Sequence, residues 1–264
     1  YAASKYINVV PEIEMPGHAL AALASYPELS FDSTQTYKVS PTWGVFEQVF
    51  CPSETTFKFF EGVMDEVVEL FPSEYIHIGG DECPKTAWKN SAFCQQLIRQ
   101  LGLKDDVTPS KVDGVKHSKE DKLQSYFVTR MEKYLNDKGR NIIGWDEILE
   151  GGLAPNATVM SWRGVEGGLN AAKAGHNAIM TPMPYAYLDF YQEDPAIAPT
   201  TIGGYTTLKK TYSYNPAPDD ADELVKKHVI GMQGNIWREY MKNSDRTDYQ
   251  AFPRAMAIAE TGWT

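Results

Sequence analysis

Six short apolar runs, rich in β-branched residues and separated by longer polar or amphipathic stretches, constrain the fold of this chain more than any other feature. Near-continuous apolar character is typical of strands that are covered on both faces, as in a parallel sheet. We therefore predict strands at these positions. The runs are Tyr6–Ile13, Tyr75–Gly80, Asn141–Trp145, Ala157–Trp162, Ala178–Pro182 and Val229–Asn235.

Amphipathic helices are predicted between the runs. One begins after Ser53, a second runs from Glu120 to a glycine stop at Gly139, and a third covers Glu166–Ala174. Residues 146–156 leave room for only a vestigial helix. This alternation predicts an α/β fold built from βα units. Long loops are predicted at Ser25–Cys51, Gly102–Ser118 and Gln192–Ala221.

Composition excludes several classes of protein. The net charge of −10 argues against a nucleic-acid partner or an anionic-membrane surface, and no apolar run is long enough for a membrane span. The three cysteines, Cys51, Cys83 and Cys94, allow at most one intrachain disulfide. Their spacing is not a zinc pattern, and we expect no metal and no cofactor.

Chemically active side chains follow the runs at their C-terminal ends. The carboxyl ends of parallel strands are where (β/α) barrels build their active sites. Packing alone does not explain six such clusters in register. The residues are Glu12, Glu14, His18, Asp81, Glu82, Trp145, Asp146, Glu147, Trp162, Tyr187, Asp189, Trp237 and Glu239.

The sharpest of these clusters is YIHIGGDE, from Tyr75 to Glu82. Two glycines after a buried strand let the backbone turn tightly or approach a ligand, so Asp81 and Glu82 can both reach one pocket. Like charges held together push their pKa values apart, which suits one proton donor and one ionised neighbour. An acidic helix cap is the plainer explanation, and the context makes it the weaker one.

Three tryptophans indicate the substrate class. Trp145, Trp162 and Trp237 each follow a run and have an acidic residue nearby. A flat aromatic face suits the C–H side of a sugar, while carboxylates bind its hydroxyls. Core filling would explain one tryptophan more simply than three at equivalent positions. We assign only core filling to Trp43, Trp88 and Trp263, although Trp88 could line an outer subsite.

The motifs, taken in order, closely resemble those of glycoside hydrolase family 20, the β-N-acetylhexosaminidases. The resemblance covers nearly the whole chain. It implies a retaining exo-hydrolase for terminal β-linked N-acetylhexosamine and a (β/α)8 TIM-barrel catalytic domain. The motifs are PEIEMPGH (Pro11–His18), HIGGDE (His77–Glu82), GWDEIL (Gly144–Leu149), MSWRG (Met160–Gly164), YLDF (Tyr187–Phe190) and NIWREY (Asn235–Tyr240).

The resemblance also implies roles for single residues. Glu82 resembles the general acid, Asp81 the carboxylate that orients the substrate's 2-acetamido group, and Tyr187 the hydroxyl that binds the acetamido oxygen. That acetamide would be the nucleophile, since this family is a substrate-assisted exception among retaining enzymes. The remaining roles are sugar walls at Trp145, Trp162 and Trp237, hydroxyl binding by Asp189 and Glu239, and support of the acid by His18.

In the family, two barrel strands precede the segment that resembles PEIEMPGH. Residues 1–264 are therefore expected to form a partial catalytic domain, an incomplete TIM barrel that lacks the first two βα units. Unpaired strand edges would then favour self-association. A secreted, periplasmic or lysosomal-type location is expected from the resemblance.

Two other functions compete with this one. A non-catalytic N-acetylhexosamine-binding protein, or an inactive barrel fragment, need not keep Asp81, Glu82 and Tyr187 together. A chitinase-like endo-enzyme would carry a DxxDxDxE acid motif, which the sequence does not contain. The presence of all three residues and the absence of this motif both favour an exo-hydrolase that acts on a glycan substrate.

Overall fold

The computed structural model describes residues 1–263, which divide into two compact units. The first unit is Tyr1–Thr158, and the second begins at Val159. Within residues 1–263, no helix combines the length and apolar character needed to cross a membrane. That the whole chain forms one domain stays a prediction.

The first unit contains two parallel strands, β1 (Tyr75–His77) and β2 (Asn141–Trp145). Their register pairs Tyr75 with Asn141 and His77 with Ile143. Both strands are buried over most of their length, as their apolar sequences predict. Three residues follow β1 before the two acidic residues of YIHIGGDE, so the strand delivers those carboxylates to its C-terminal end.

The predicted strand at Tyr6–Ile13 is not regular. Residues 6–10 are exposed, and a β-bridge forms only where Glu12 meets His77. Beside β1 the chain makes a short ladder, in which the Ile13 N–H donates to His77 O at 2.9 Å and the His77 N–H donates to Pro11 O at 2.9 Å. Pro11 has no N–H with which to extend this ladder. The apolar character of the run therefore predicted a longer strand than the structure contains.

The two helices predicted for the first unit are present, and the second of them packs against β2. Ser53 and Ser118 cap the two longest through their side chains, and Ser118 forms a capping box with Asp121. Phe57, Phe60 and Phe127 pack their rings together between these helices. The helices are α1 (Leu20–Ser25), α2 (Glu54–Leu70), α3 (Thr86–Asn90), α4 (Ala92–Gln100) and α5 (Lys119–Asp137), with 3-10 turns at Ala3–Lys5, Pro27–Leu29 and Asp146–Leu149.

Trp88 is a core residue of the first unit rather than a subsite residue. Its side chain is fully buried, and its indole N–H donates to Phe50 O at 3.1 Å. Cys94 and Ile98 lie in the same apolar cluster. The outer-subsite role considered for Trp88 is therefore wrong. Cys51, Cys83 and Cys94 are free and buried.

The second unit contains three parallel strands in chain order, β3 (Thr158–Ser161), β4 (Ala178–Met180) and β5 (Val229–Met232). An irregularity at Ala178 and Ile179 shifts the register between β4 and β5. The predicted loop at Gln192–Ala221 is partly wrong, because it contains a short helix that Thr207 caps. The helices are α6 (Glu166–Lys173), α7 (Met183–Ala186), α8 (Leu208–Tyr212), α9 (Glu223–His228), α10 (Ser244–Ala251) and α11 (Arg254–Trp263).

A buried arginine fixes the segment that follows α7. The guanidinium of Arg254 is fully buried and donates to Leu188 O at 2.5 Å and Thr206 O at 2.8 Å, with further bonds to Phe190 O and Gln250 O. A buried carbonyl oxygen without a hydrogen-bond donor costs free energy. The side chain of Arg254 supplies donors to the carbonyls of this turn, which does not belong to a regular strand.

Replacing Arg254 by Met is expected to lower the free energy of unfolding by on the order of 3 kcal/mol, because four carbonyls lose a buried donor. Arg99→Met, at an exposed position on α4, is the matched control and should change stability by less than about 0.5 kcal/mol. Urea denaturation of both variants measures the difference. Equal effects of the two substitutions would contradict this role for Arg254.

Candidate active site

The loop after β1 packs against the segment that contains Glu14. Gly79 has φ 68°, and a Cβ built there would fall into the space of the Glu14 carboxylate. Glu14 Oε1 in turn accepts the Gly80 N–H at 3.0 Å. The glycine pair is needed here because only a residue without Cβ admits a carboxylate so close to the backbone.

Gly17 brings the two segments together a second time. A Cβ at this position would lie 2.8 Å from Asp81 O, so the backbone must approach at Gly17 without a side chain. The neighbouring Met15 N–H donates to Ile78 O at 3.1 Å. His18 follows directly, and the close approach carries its ring to the two acidic residues.

The imidazole of His18 joins Asp81 and Glu82. Its Nε2 lies 3.4 Å from Asp81 Oδ2 and 3.3 Å from Glu82 Oε2. The side chains of His18, Asp81 and Glu82 are 30%, 16% and 37% exposed, so all three are partly accessible to solvent. His18 and Glu82 both have φ 46°, a left-handed conformation that side chains rarely adopt.

Charge and burial shift the protonation of this cluster. The pKa of His18 is raised above its usual value, mainly by the hydrogen bond to Asp81, with a smaller contribution from Glu82. Burial, followed by the charge of Asp81, raises the pKa of Glu14 to about 11. At neutral pH Glu14 therefore carries a proton beside an acidic neighbour.

Trp145 lies at the end of β2 and is almost fully buried. Its indole N–H donates to Glu12 Oε1 at 2.9 Å, and its ring packs on His77 at a centroid distance of 4.8 Å. His77 Nδ1 lies 3.2 Å from the same Glu12 oxygen and accepts the Gly79 N–H. Glu12 and His77 thus fix the orientation of Trp145. Asp146 and Glu147 are buried in the 3-10 turn that follows.

One possible metal-ligand atom from each of His18, Asp81 and Glu82 lies within 4.8 Å of the other two. Exposed acidic groups commonly approach this closely without an ion. His18 contacts both carboxylates directly, which accounts for the spacing. We assign no metal to this cluster.

In the second unit, Tyr187 follows α7 and stacks on Trp162, with ring centroids 6.3 Å apart and an interplanar angle of 29°. Phe190 packs against the other side of this group, 5.4 Å from the Tyr187 ring. Trp162 is half-buried, so part of its face stays accessible. The structure brings these two predicted site residues together.

Asp189 and Glu239 also lie close together, with Trp237 beside them. The three residues line one small cavity, and Trp237 is 38% exposed. Burial raises the pKa of Asp189 to about 7, and the charge of Glu239 adds to this effect. Gln250 donates to Asp189 O at 3.0 Å and so fixes its backbone.

The sequence did not indicate the roles of four residues around these sites. Glu14 appeared there only as one of many acidic residues, and its burial has no local sequence signal. His77 looked like part of a strand, although its alternation with Ile76 and Ile78 places it on the opposite face. Gln250 and Arg254 lie in helices far along the chain.

The model of the family described as "Glycosyl hydrolase family 20, catalytic domain" matches residues 1–264. The chain belongs to this family. Its catalytic domain is a TIM barrel, so the fold class predicted from the sequence is confirmed. A "Beta-hexosaminidase" of Porphyromonas gingivalis is 50% identical over 266 residues, which cover 100% of this chain and 32% of that protein. The corresponding protein of Vibrio furnissii is 35% identical over 269 residues, 99% of this chain and 41% of its own length.

Solved structures of the family show the same fold. The exo β-N-acetylglucosaminidase from Vibrio harveyi, in complex with N-acetylglucosamine, has a TM-score of 0.82 and 32% identity, and the match covers 100% of this chain and 40% of that one. A β-N-acetylhexosaminidase from Bacteroides fragilis has a TM-score of 0.79, 32% identity and coverage of 100% and 50%. The chain thus spans half or less of the length of these relatives.

Asp81→Asn is expected to lower the pKa of His18, because the hydrogen bond to Asp81 is the largest cause of its rise. Glu82→Gln is the matched control and should lower it less. NMR titration of the imidazole signals, with His18 assigned through His18→Gln, measures both shifts. A larger effect of Glu82→Gln would show that Glu82, rather than Asp81, holds the imidazole.

Proposed function

We propose that the protein removes terminal, non-reducing β-linked N-acetylhexosamine, either GlcNAc or GalNAc, from glycans with retention of configuration. The observation that carries this proposal is that Asp81 and Glu82 both contact the imidazole of His18 and are both accessible to solvent. The family of the chain and the names of its relatives support the reaction class.

Glu82 is the more exposed of the two carboxyl groups and is proposed as the general acid. It protonates the glycosidic oxygen and later accepts a proton from the attacking water. His18 donates a hydrogen bond to either carboxylate from Nε2, so it can compensate charge on Glu82 as the proton leaves. This is a supporting role, since the histidine reaches the substrate only through the acid.

Asp81 is proposed to hold the substrate's acetamido N–H and to stabilise positive charge on it. The acetamido oxygen then attacks the anomeric carbon, and its position inside the substrate gives a large effective concentration. An ionised Asp81 favours the charged cyclic intermediate over the neutral substrate, as differential stabilisation of a transition state requires.

The remaining predicted residues are proposed to bind the sugar. Tyr187 would donate to the acetamido oxygen, and its stacking on Trp162 keeps the ring rigid for that purpose. Asp189 and Glu239 would accept hydrogen bonds from outer hydroxyls. Trp145, Trp162 and Trp237 would form apolar walls, although Trp145 is nearly buried and would offer only its edge.

Self-association through strand edges remains a further proposal, which sedimentation of the protein can test. A binding protein without catalysis is the alternative to the enzyme. It would retain the aromatic walls but gain nothing from two carboxylates held on one imidazole.

Glu82→Gln is expected to reduce hydrolysis of β-GlcNAc disaccharides by roughly 10²–10⁴-fold, while 2,4-dinitrophenyl β-GlcNAc loses much less, because an activated phenol needs little protonation. Steady-state kcat/KM on both substrates measures the difference. Glu69→Gln, at an exposed position on α2, is the control and should leave both unchanged. Equal losses on the two substrates would remove Glu82 from the role of acid.

Asp81→Asn is expected to weaken competitive inhibition by a GlcNAc-thiazoline by about 10-fold or more, since this mimic of the cyclised acetamide carries the charge that Asp81 stabilises. The unchanged protein should hydrolyse p-nitrophenyl β-GlcNAc and leave p-nitrophenyl β-glucoside nearly intact. Asp137→Asn, exposed at the end of α5, is the control. A covalent glycosyl-enzyme trapped on any carboxylate would overturn the mechanism.

A further inference from the structure

Glu14 is a partly buried carboxyl group to which the mechanism above assigns no role. One of its oxygens accepts the Gly80 N–H at 3.0 Å, and the carboxyl group fills the space beside Gly79. A buried ion without a partner of opposite charge is strongly disfavoured. The described groups that act on Glu14 are a backbone N–H and two acidic side chains, Asp81 and Glu12.

One carboxylate oxygen of Asp81 lacks a hydrogen-bond donor among the described residues. Its Oδ2 lies beside His18, but its Oδ1 is buried without any ordinary donor among the described residues. Glu14 lies next to Asp81 along the loop, because its Oε1 accepts the N–H of Gly80, the residue that precedes Asp81. Two ionised carboxylates cannot share a hydrogen bond, because neither has a proton to donate. A hydrogen bond between Glu14 and Asp81 therefore requires one of the two to be a neutral acid.

Burial and neighbours decide which one carries the proton. Both side chains are partly exposed, but Asp81 receives the His18 N–H, whereas Glu14 has only a backbone N–H and two acidic side chains beside it. A proton on Glu14 also leaves one Glu14 oxygen for Gly80 and directs the O–H toward Asp81. The pKa of Glu14, raised by burial to about 11, agrees with this assignment. The titratable groups around the pair are His18 and Glu82 beside Asp81, Glu12 beside Glu14, and Cys83 close to both.

We propose that Glu14 is a positioning residue, a neutral carboxylic acid whose hydroxyl donates to Asp81 Oδ1 and holds that carboxylate ionised and oriented toward the substrate acetamide. The part that concerns the acetamide rests on the proposed function. Glu14 acts only through Asp81 and does not contact the sugar. A neutral donor stabilises negative charge on Asp81 without adding a second negative charge to the site.

Two substitutions separate this role from simple packing. Glu14→Gln keeps an oxygen for the Gly80 N–H and offers an N–H donor to Asp81, so kcat/KM for p-nitrophenyl β-GlcNAc should stay within about threefold of the original. Glu14→Met has similar length without a donor. It should lower kcat by about 10-fold or more with a smaller change in KM, and move the acid limb of the kcat/KM pH profile to higher pH.

The proposal fails if Glu14→Gln loses as much activity as Glu14→Met. It also fails if the acid limb of Glu14→Gln moves to lower pH, because that shift would mean that the substitution removed a negative charge beside Asp81.

Infrared spectroscopy tests the proton directly and does not need an active enzyme. At about pH 9, above the pKa of Asp189 and below that of Glu14, the protein should show the C=O stretch of a protonated carboxylic acid, which disappears in Glu14→Gln and persists in Glu12→Gln. Absence of this band would overturn the proposal even in an active enzyme. If the band is present but β-GlcNAc substrates are not hydrolysed, the proposed function fails while the neutral state of Glu14 stands. Circular dichroism checks the folding of each variant, and the Gln variant keeps the test decisive if the Met variant does not fold.

Discussion

The close contact between two backbone segments, one ending at His18 and the other following β1, determines the rest of the acidic site. Main-chain hydrogen bonds from Ile13 and Met15 join these segments, and Gly17 allows an approach that any Cβ would block. Because the contact is made by the backbone, the positions of His18 and Asp81 do not depend on flexible side chains. Pre-organisation of this kind is what electrostatic stabilisation of a developing charge requires.

The second unit fixes its site residues by a different method. Tyr187 forms only an isolated β-bridge with Asn235, and the buried guanidinium of Arg254 adds hydrogen bonds to the carbonyls of Leu188, Phe190 and Thr206. A planar group with five donors suits this task better than lysine would. These bonds connect the turn to the C-terminal helices, so substitutions in α10 or α11 can displace Tyr187 and Asp189.

Much of this architecture follows from the sequence, because strands covered on both faces and capped amphipathic helices leave local patterns. The runs at β2 and β3, the caps at Ser53 and the glycine-acidic motif after β1 were all predicted from such patterns. The error at Tyr6–Ile13 has the opposite cause, since pairing there depends on His77, which lies far along the chain. The helix in the Gln192–Ala221 loop has a local cap at Thr207, but its five residues are too few to show an amphipathic pattern. The burial of Glu14 is likewise tertiary, and composition cannot distinguish it from a surface carboxylate.

The left-handed backbone conformations of His18 and Glu82 lower the stability of the fold. Each such conformation lowers the free energy of unfolding by on the order of 1–3 kcal/mol, and glycine or asparagine would adopt the same backbone conformation with less strain. Selection for thermal stability alone would therefore favour replacement of the His18 imidazole and the Glu82 carboxyl group. Both groups belong to the proposed mechanism, so stabilising substitutions should be sought at other positions if the proposed reaction is to be kept.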